Sequence, residues 1–136
     1  MRLIVFCLLV TSLAFAEASP IVNKEVEAGS YTAVDLETGT IKSALLLRPD
    51  HTVNFKVETP DFTMPEPGCE GQYVVQGNLL TADMTCPMDF LSEVQVRIDI
   101  TNVTPEAVRS ADGVNVDVVI DALGEDPYKF NLKKIN

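Results

Sequence analysis

Cys69 and Cys86 carry the first chemistry legible in this chain. The segment between them turns back at Gly77-Asn78, a two-residue hairpin signal. Counting outward from that turn, Gln76 faces Leu79, Val75 faces Leu80 and Cys69 meets Cys86. With Gln76 and Leu79 as a hydrogen-bonded pair, antiparallel alternation makes the two cysteines a non-hydrogen-bonded pair, close enough to oxidise to a disulfide. The third cysteine, Cys7, sits in an apolar N-terminal run that reads as a removable leader, which leaves an even pair. A bridge is favoured over a metal site or a nucleophile, because both would need further ligands or a base nearby.

The remaining reactive residues point away from catalysis. His51 is the only histidine, so a histidine-rich metal site cannot be built. As a general base it would need a nucleophile beside it, and the adjacent Thr52 reads as a strand residue. Glu125-Asp126 could imitate a glycosidase pair or hold calcium, but it falls in a short turn next to Pro127 without spaced oxygen ligands. Asn102-Val103-Thr104 fits a glycosylation acceptor, is followed by Pro105, and separates no functions. The expectation is a non-enzymatic protein with no cofactor and no metal.

Met1-Arg2, the apolar run Leu3 to Leu13 and the ending Ala14-Phe15-Ala16 have the charge, apolar stretch and small-x-small close of a secretory signal, cleaved after Ala16. Residues 17–136 then form a single domain, secreted or periplasmic. The apolar run is too short for a permanent transmembrane helix and no later stretch is longer, so no integral membrane segment is expected. Twenty acidic residues against ten Lys and Arg give a net charge of −10. That sign repels nucleic acid and anionic membranes. The acids either meet a cationic partner or, as their even spread favours, keep an exported monomer soluble.

These residues need strands to position them, and strand signals fill the chain. They fall near Ser30–Leu36, Ile41–Arg48, Thr52–Glu58, Cys69–Gln76, Leu79–Cys86, Glu93–Thr101, Val114–Ala122 and Tyr128–Lys134. Alternation is clearest where Val94, Val96, Ile98 and Ile100 interleave with Glu93, Gln95, Arg97 and Asp99, giving one buried and one wet face. In the cysteine hairpin the same rule puts Gly71, Tyr73, Val75, Leu80, Ala82 and Met84 on the disulfide's side. Pro49-Asp50-His51 reads as a three-residue loop with His51 left-handed, pairing Leu47 with Val53 and Leu45 with Phe55. Between Asn102 and Gly113, Thr104 as cap and Pro105 at the first position predict one short helix. The fold class is all-β: an eight-stranded antiparallel up-and-down meander closing into a barrel, with a β-sandwich as the alternative.

Gly29-Ser30-Tyr31 opening the first strand, Leu47-Arg48-Pro49-Asp50-His51-Thr52 as a sharp hairpin, and Cys69-Glu70-Gly71-Gln72-Tyr73 leading to Gly77-Asn78-Leu79 resemble the small lipocalin-like (calycin-type) exported β-barrel proteins of bacteria. The resemblance spans most of residues 17–136. It implies a barrel with an internal pocket and no particular ligand. The chain contains no tryptophan, and so lacks the glycine-x-tryptophan signature of lipocalin first strands.

A meander alternates its connections between two ends. One end gathers Glu37–Thr40, Thr59–Gly68, Pro87–Ser92 and Leu123–Pro127, and two of these loops carry apolar side chains: Phe62 and Met64 on one, Met88, Phe90 and Leu91 on the other. Three prolines stiffen the longer loop, as expected of a preorganised lid or recognition loop. Ser43, Gly71 and Ala82 are small inward residues that would open space beside Tyr73. The candidate ligand-binding set is therefore Phe62, Met64, Tyr73, Met84, Met88, Phe90 and Leu91, receiving a small hydrophobic ligand or a protein partner. Two readings stand beside it: Phe62 and Phe90 fold inward as a plug, or a filled barrel presents the proline-stiffened loop as an envelope interaction protein or inhibitor.

Overall fold

The computed structural model describes residues 22–135. The leader assigned to residues 1–16, with Cys7, lies outside the described residues. Nine strands follow one another: β1 (Gly29–Asp35), β2 (Lys42–Leu47), β3 (Thr52–Thr59), β4 (Phe62–Thr63), β5 (Cys69–Gln76), β6 (Leu79–Met88), β7 (Leu91–Asp99), β8 (Val114–Ile120) and β9 (Tyr128–Lys134). A five-residue helix, α1 (Pro105–Arg109), separates β7 from β8.

Every pairing is antiparallel, and each strand has two neighbours except β3, which has three, and the short β4, which pairs with β3 alone. The sheet closes on itself because β1 pairs with β9, Ala33 opposite Leu132, while β2 pairs with both β1 and β3. One closed eight-stranded ring, with β4 added along β3, replaces the two-sheet sandwich. Closure pairs the backbone edges that a flat sheet would leave open. The architecture is compatible with a lipocalin-like barrel. Among the described residues no helix is long and apolar enough to cross a membrane.

The alternation read from the sequence sets which side chains fill the barrel. Val94, Val96 and Ile98 of β7, and Leu80, Ala82 and Met84 of β6, are buried. Leu45, Leu47, Val53, Phe55, Tyr73, Val116, Val118, Phe130 and Leu132 complete the inner layers. The Gly77-Asn78 turn sets the register from Gln76↔Leu79 to Glu70↔Thr85. Gly77 has φ 62°, whereas His51 is the non-glycine residue described with positive φ, so Asn78 stays in the ordinary region. Glycine first and negative φ second is the pattern of a type II′ turn. One step beyond the ladder, Cys69 and Cys86 are bridged, their Cα atoms 4.1 Å apart. His51 adopts φ 68° in its three-residue loop, and Asp50 accepts from the Thr52 amide at 3.0 Å to hold it.

Three differences from the sequence reading have local causes. The Thr59–Gly68 loop turns at Pro60-Asp61 and folds back as β4, Thr59 opposite Phe62. Strand β6 runs on to Met88 through a register shift between Thr85 and Met88, where Pro87 has no N–H to give the ladder. Strand β8 ends at Ile120 because Asp121 opens a 3-10 turn, Asp121–Leu123, and its carboxylate accepts the Gln95 amide at 3.0 Å.

Gly71 is small for a different reason than making room. A Cβ built there would lie 1.9 Å from the Asp83 carbonyl oxygen of β6. Glycine lets two backbones approach, and Gly71→Ala is expected to cost about 1–3 kcal/mol, read from the urea midpoint.

One end of the barrel is closed. Thr104 caps α1 by accepting from the Ala107 amide at 3.1 Å, and Val108 packs inward beside Ile100 and Val103. The N-terminal segment straps this end: the Lys24 amide donates to the Gly77 carbonyl at 2.9 Å, and the Gly77 amide to Asn23 Oδ1 at 2.8 Å. Tyr31, buried, donates its hydroxyl to the Glu27 carbonyl at 2.6 Å. Burial, reinforced by the Glu27 charge, pushes its phenol up to about 12.

Candidate functional site

The other end is built differently. A cavity of about 310 Å³ occupies it, with Phe55, Phe130 and Ser43 towards the barrel centre, Val57, Val94 and Ile120 as walls, and Met64 and Leu91 under the loops. Ser43 pairs with Ala33 in the ladder, and these two small side chains leave space that a larger pair would fill. A void of about 30 Å³, lined in part by Ala33, Leu45 and Leu132, continues deeper and shares Ser43 with the main cavity. Among the described residues no Asp, Glu, Lys, Arg or His lines the main cavity; its polar side chains are the hydroxyls of Ser43, Thr59 and Tyr128. Leu123 is both a wall and 58% exposed, so the cavity reaches solvent at this end.

Two loops cover it. The turn after β3 brings the Met64 amide to the Val57 carbonyl at 3.1 Å, which drives the Met64 side chain inward until its sulfur lies 3.7 Å from Cys69 Sγ. Lys56 bonds Glu66 at 2.7 Å and Asn54 donates to the Pro67 carbonyl at 2.7 Å, anchoring the proline-rich stretch to β3. On the second loop Met88 pairs with Leu91 across a turn at Asp89-Phe90. Phe62 and Phe90 meet edge to face, 6.4 Å between ring centroids. The disulfide joins the strands from which both loops spring, and Cys69 contributes to the cavity wall.

The residues singled out from the sequence therefore separate. Met64 and Leu91 line the cavity. Phe62 is half-buried at the rim, and Phe90 stands 79% exposed rather than folding inward as a plug. Met88 is buried beneath its turn. Tyr73 lies towards the closed end, stacked on His51 with ring centroids 5.0 Å apart, and Met84 is core opposite Gly71 and Val94. Neither lines the cavity. The apolar cavity lies beside Ser43, while a separate, more polar pocket of about 390 Å³ lies beside Tyr73, between His51, Val75 and the Asn23–Val26 strap. Phe55, Val94 and Phe130 carry the inward signal of alternation, but no pattern in the sequence marks them as walls of a void.

Leu36, at 49% exposure, joins Phe90 and Leu123 as an exposed apolar residue on the loops of this end. Asp35 positions the Leu36 turn. Its carboxylate accepts from the Thr38 amide at 2.7 Å, the Thr38 hydroxyl at 2.8 Å and the Ile41 amide at 2.8 Å. Burial pushes the Asp35 carboxyl up, but those hydrogen bonds outweigh it and hold it below the usual carboxylate range. A depressed carboxyl stabilises the fold above the unfolded pKa, and the contribution disappears as pH falls through the folded value. Asp50, Glu70 and Asp99 are also held low, chiefly by Thr52, Arg48 and Thr101 respectively, so Asp35 supplies one part of the acid limb. Asp35→Asn is expected to lose about 1–2 kcal/mol at pH 7. The loss should shrink below about pH 4, where the wild-type carboxylates protonate; urea unfolding at pH 7 and pH 3 checks it.

No family model matches the chain, and no curated protein or solved structure matches it either.

Proposed function

We propose that this protein is an exported, non-enzymatic, lipocalin-like barrel that binds a small apolar ligand behind Met64 and Leu91. The cavity carries the reading. Its volume, about 310 Å³, falls at the lower end of small-molecule pockets, roughly 300–1,000 Å³. It is about twice the size of an engineered cavity of roughly 150 Å³ that admits benzene. Apolar walls reward removal of apolar ligand surface from water. The barrel's asymmetry agrees with this use, because a helix and an N-terminal strap close one end while short loops with apolar tips guard the other. The buried disulfide supports export to an oxidising compartment.

Titration with 1-aminoanthracene, a neutral three-ring fluorophore, tests the reading. Saturable binding of one probe per chain is expected, with a dissociation constant on the order of 1 μM. Absence of saturation up to about 100 μM would overturn it.

Phe90 favours a second reading, since its 79% exposure lies outside the cavity. A protein partner would grip the Phe62–Phe90 rim. On the carrier reading Phe90→Ser leaves probe affinity within about twofold, because the ring touches solvent rather than ligand.

A further inference from the structure

The chemistry of the cavity wall narrows the ligand class. Ser43 is 8% exposed and lines the cavity, where its hydroxyl makes no side-chain hydrogen bond to the described residues and stays accessible from the cavity. It occupies the inward position of β2 that Leu45 and Leu47 occupy one and two steps further in. Its ladder partners are Ala33 and Val57, which offer apolar side chains, and Phe55 and Phe130 stand beside it in the wall. A hydroxyl that opens onto an otherwise apolar cavity offers a hydrogen bond to a molecule held there. A hydroxyl both donates and accepts. The partner can therefore be an alcohol or a carbonyl.

Charge excludes the other common amphiphiles. Among the described residues no basic side chain lines the cavity to receive a carboxylate and no acidic one to receive an amine; an ion buried there would be stripped of water without compensation. The net charge of −10 further disfavours approach by anions.

We propose that the ligand is an uncharged molecule with one hydrogen-bonding group, an alcohol, ketone or aldehyde, which enters polar end first and meets Ser43 Oγ on the inner side of the cavity. Its apolar remainder then lies between Val94, Ile120, Met64 and Leu91. This inference rests on the carrier reading above.

Displacement of 1-aminoanthracene by octan-1-ol, octan-2-one, octane and octanoate at pH 7.4 tests it, in the wild type and in Ser43→Ala. Octanol and octanone should displace at concentrations at least about tenfold below octanoate. In Ser43→Ala the affinity of octanol relative to octane should fall about tenfold, whatever the absolute values. If octanoate competes as well as octanol, or if the ratio of octanol to octane is the same in both proteins, the assignment of Ser43 is overturned and the carrier reading stands. Failure of all four to displace the probe would overturn both.

Discussion

Val94→Phe is expected to weaken 1-aminoanthracene binding about a hundredfold, equivalent to about 2.7 kcal/mol, while leaving the protein as stable as wild type or more so. Val94 is 5% exposed and its side chain faces the cavity from β7, opposite Met84 in the ladder. A phenyl ring there enters space that no atom of the described residues occupies, so it displaces ligand without straining its neighbours. The same enlargement at Val53 is the control. Val53 is 0% exposed and borders neither void; in a close-packed interior the extra atoms force rotamer and backbone shifts costing about 1–3 kcal/mol. Chemical unfolding of both variants separates the two sites. Equal destabilisation of Val94→Phe and Val53→Phe would mean that the space beside Val94 is filled.

The second large effect concerns the bridge. Replacing both Cys69 and Cys86 with alanine is expected to lower stability by about 3 kcal/mol, the loop-closure value for a segment of this length, here 17 residues apart in sequence. Both sulfurs are buried, at 0% and 5% exposure, so the loss falls on the core as well as on the unfolded chain. It also falls on the site, because the bridge ties β5 to β6 directly beneath the Met64 and Met88 loops. The urea midpoint of the double variant measures the first effect. An unchanged midpoint would remove the disulfide from the account.

How far the sequence discloses this molecule depends on the range of each signal. Gly77-Asn78 and Pro49-Asp50-His51 are local devices, and each sets a register that propagates outward: Gln76↔Leu79 becomes the Cys69–Cys86 bridge, and Leu47↔Val53 carries Leu45 to Phe55. Alternation, equally local, assigns Val96, Ile98, Val116 and Val118 to the interior. Thr104 and Pro105 announce α1 for the same reason. The cavity is not local. It depends on Ser43 and Ala33 lying side by side on β1 and β2 while Phe55, Val94 and Phe130 fail to reach across, a sum over five strands that no window of sequence contains. Tyr73 shows the same limit. Its place on an inward face is legible, but its stacking on His51 towards the closed end follows from where β5 sits along the barrel. Met64 and Leu91 were found because loops rich in apolar residues are unusual whatever the packing beneath them.

The central claim is that the cavity behind Met64 and Leu91 holds a small uncharged molecule. The most direct measurement is the native mass of the protein purified gently from the cells that make it, beside its mass after denaturation. An excess is expected in the native state, one small molecule per chain, lost on unfolding and diminished in Val94→Phe. Identical native and denatured masses would contradict it.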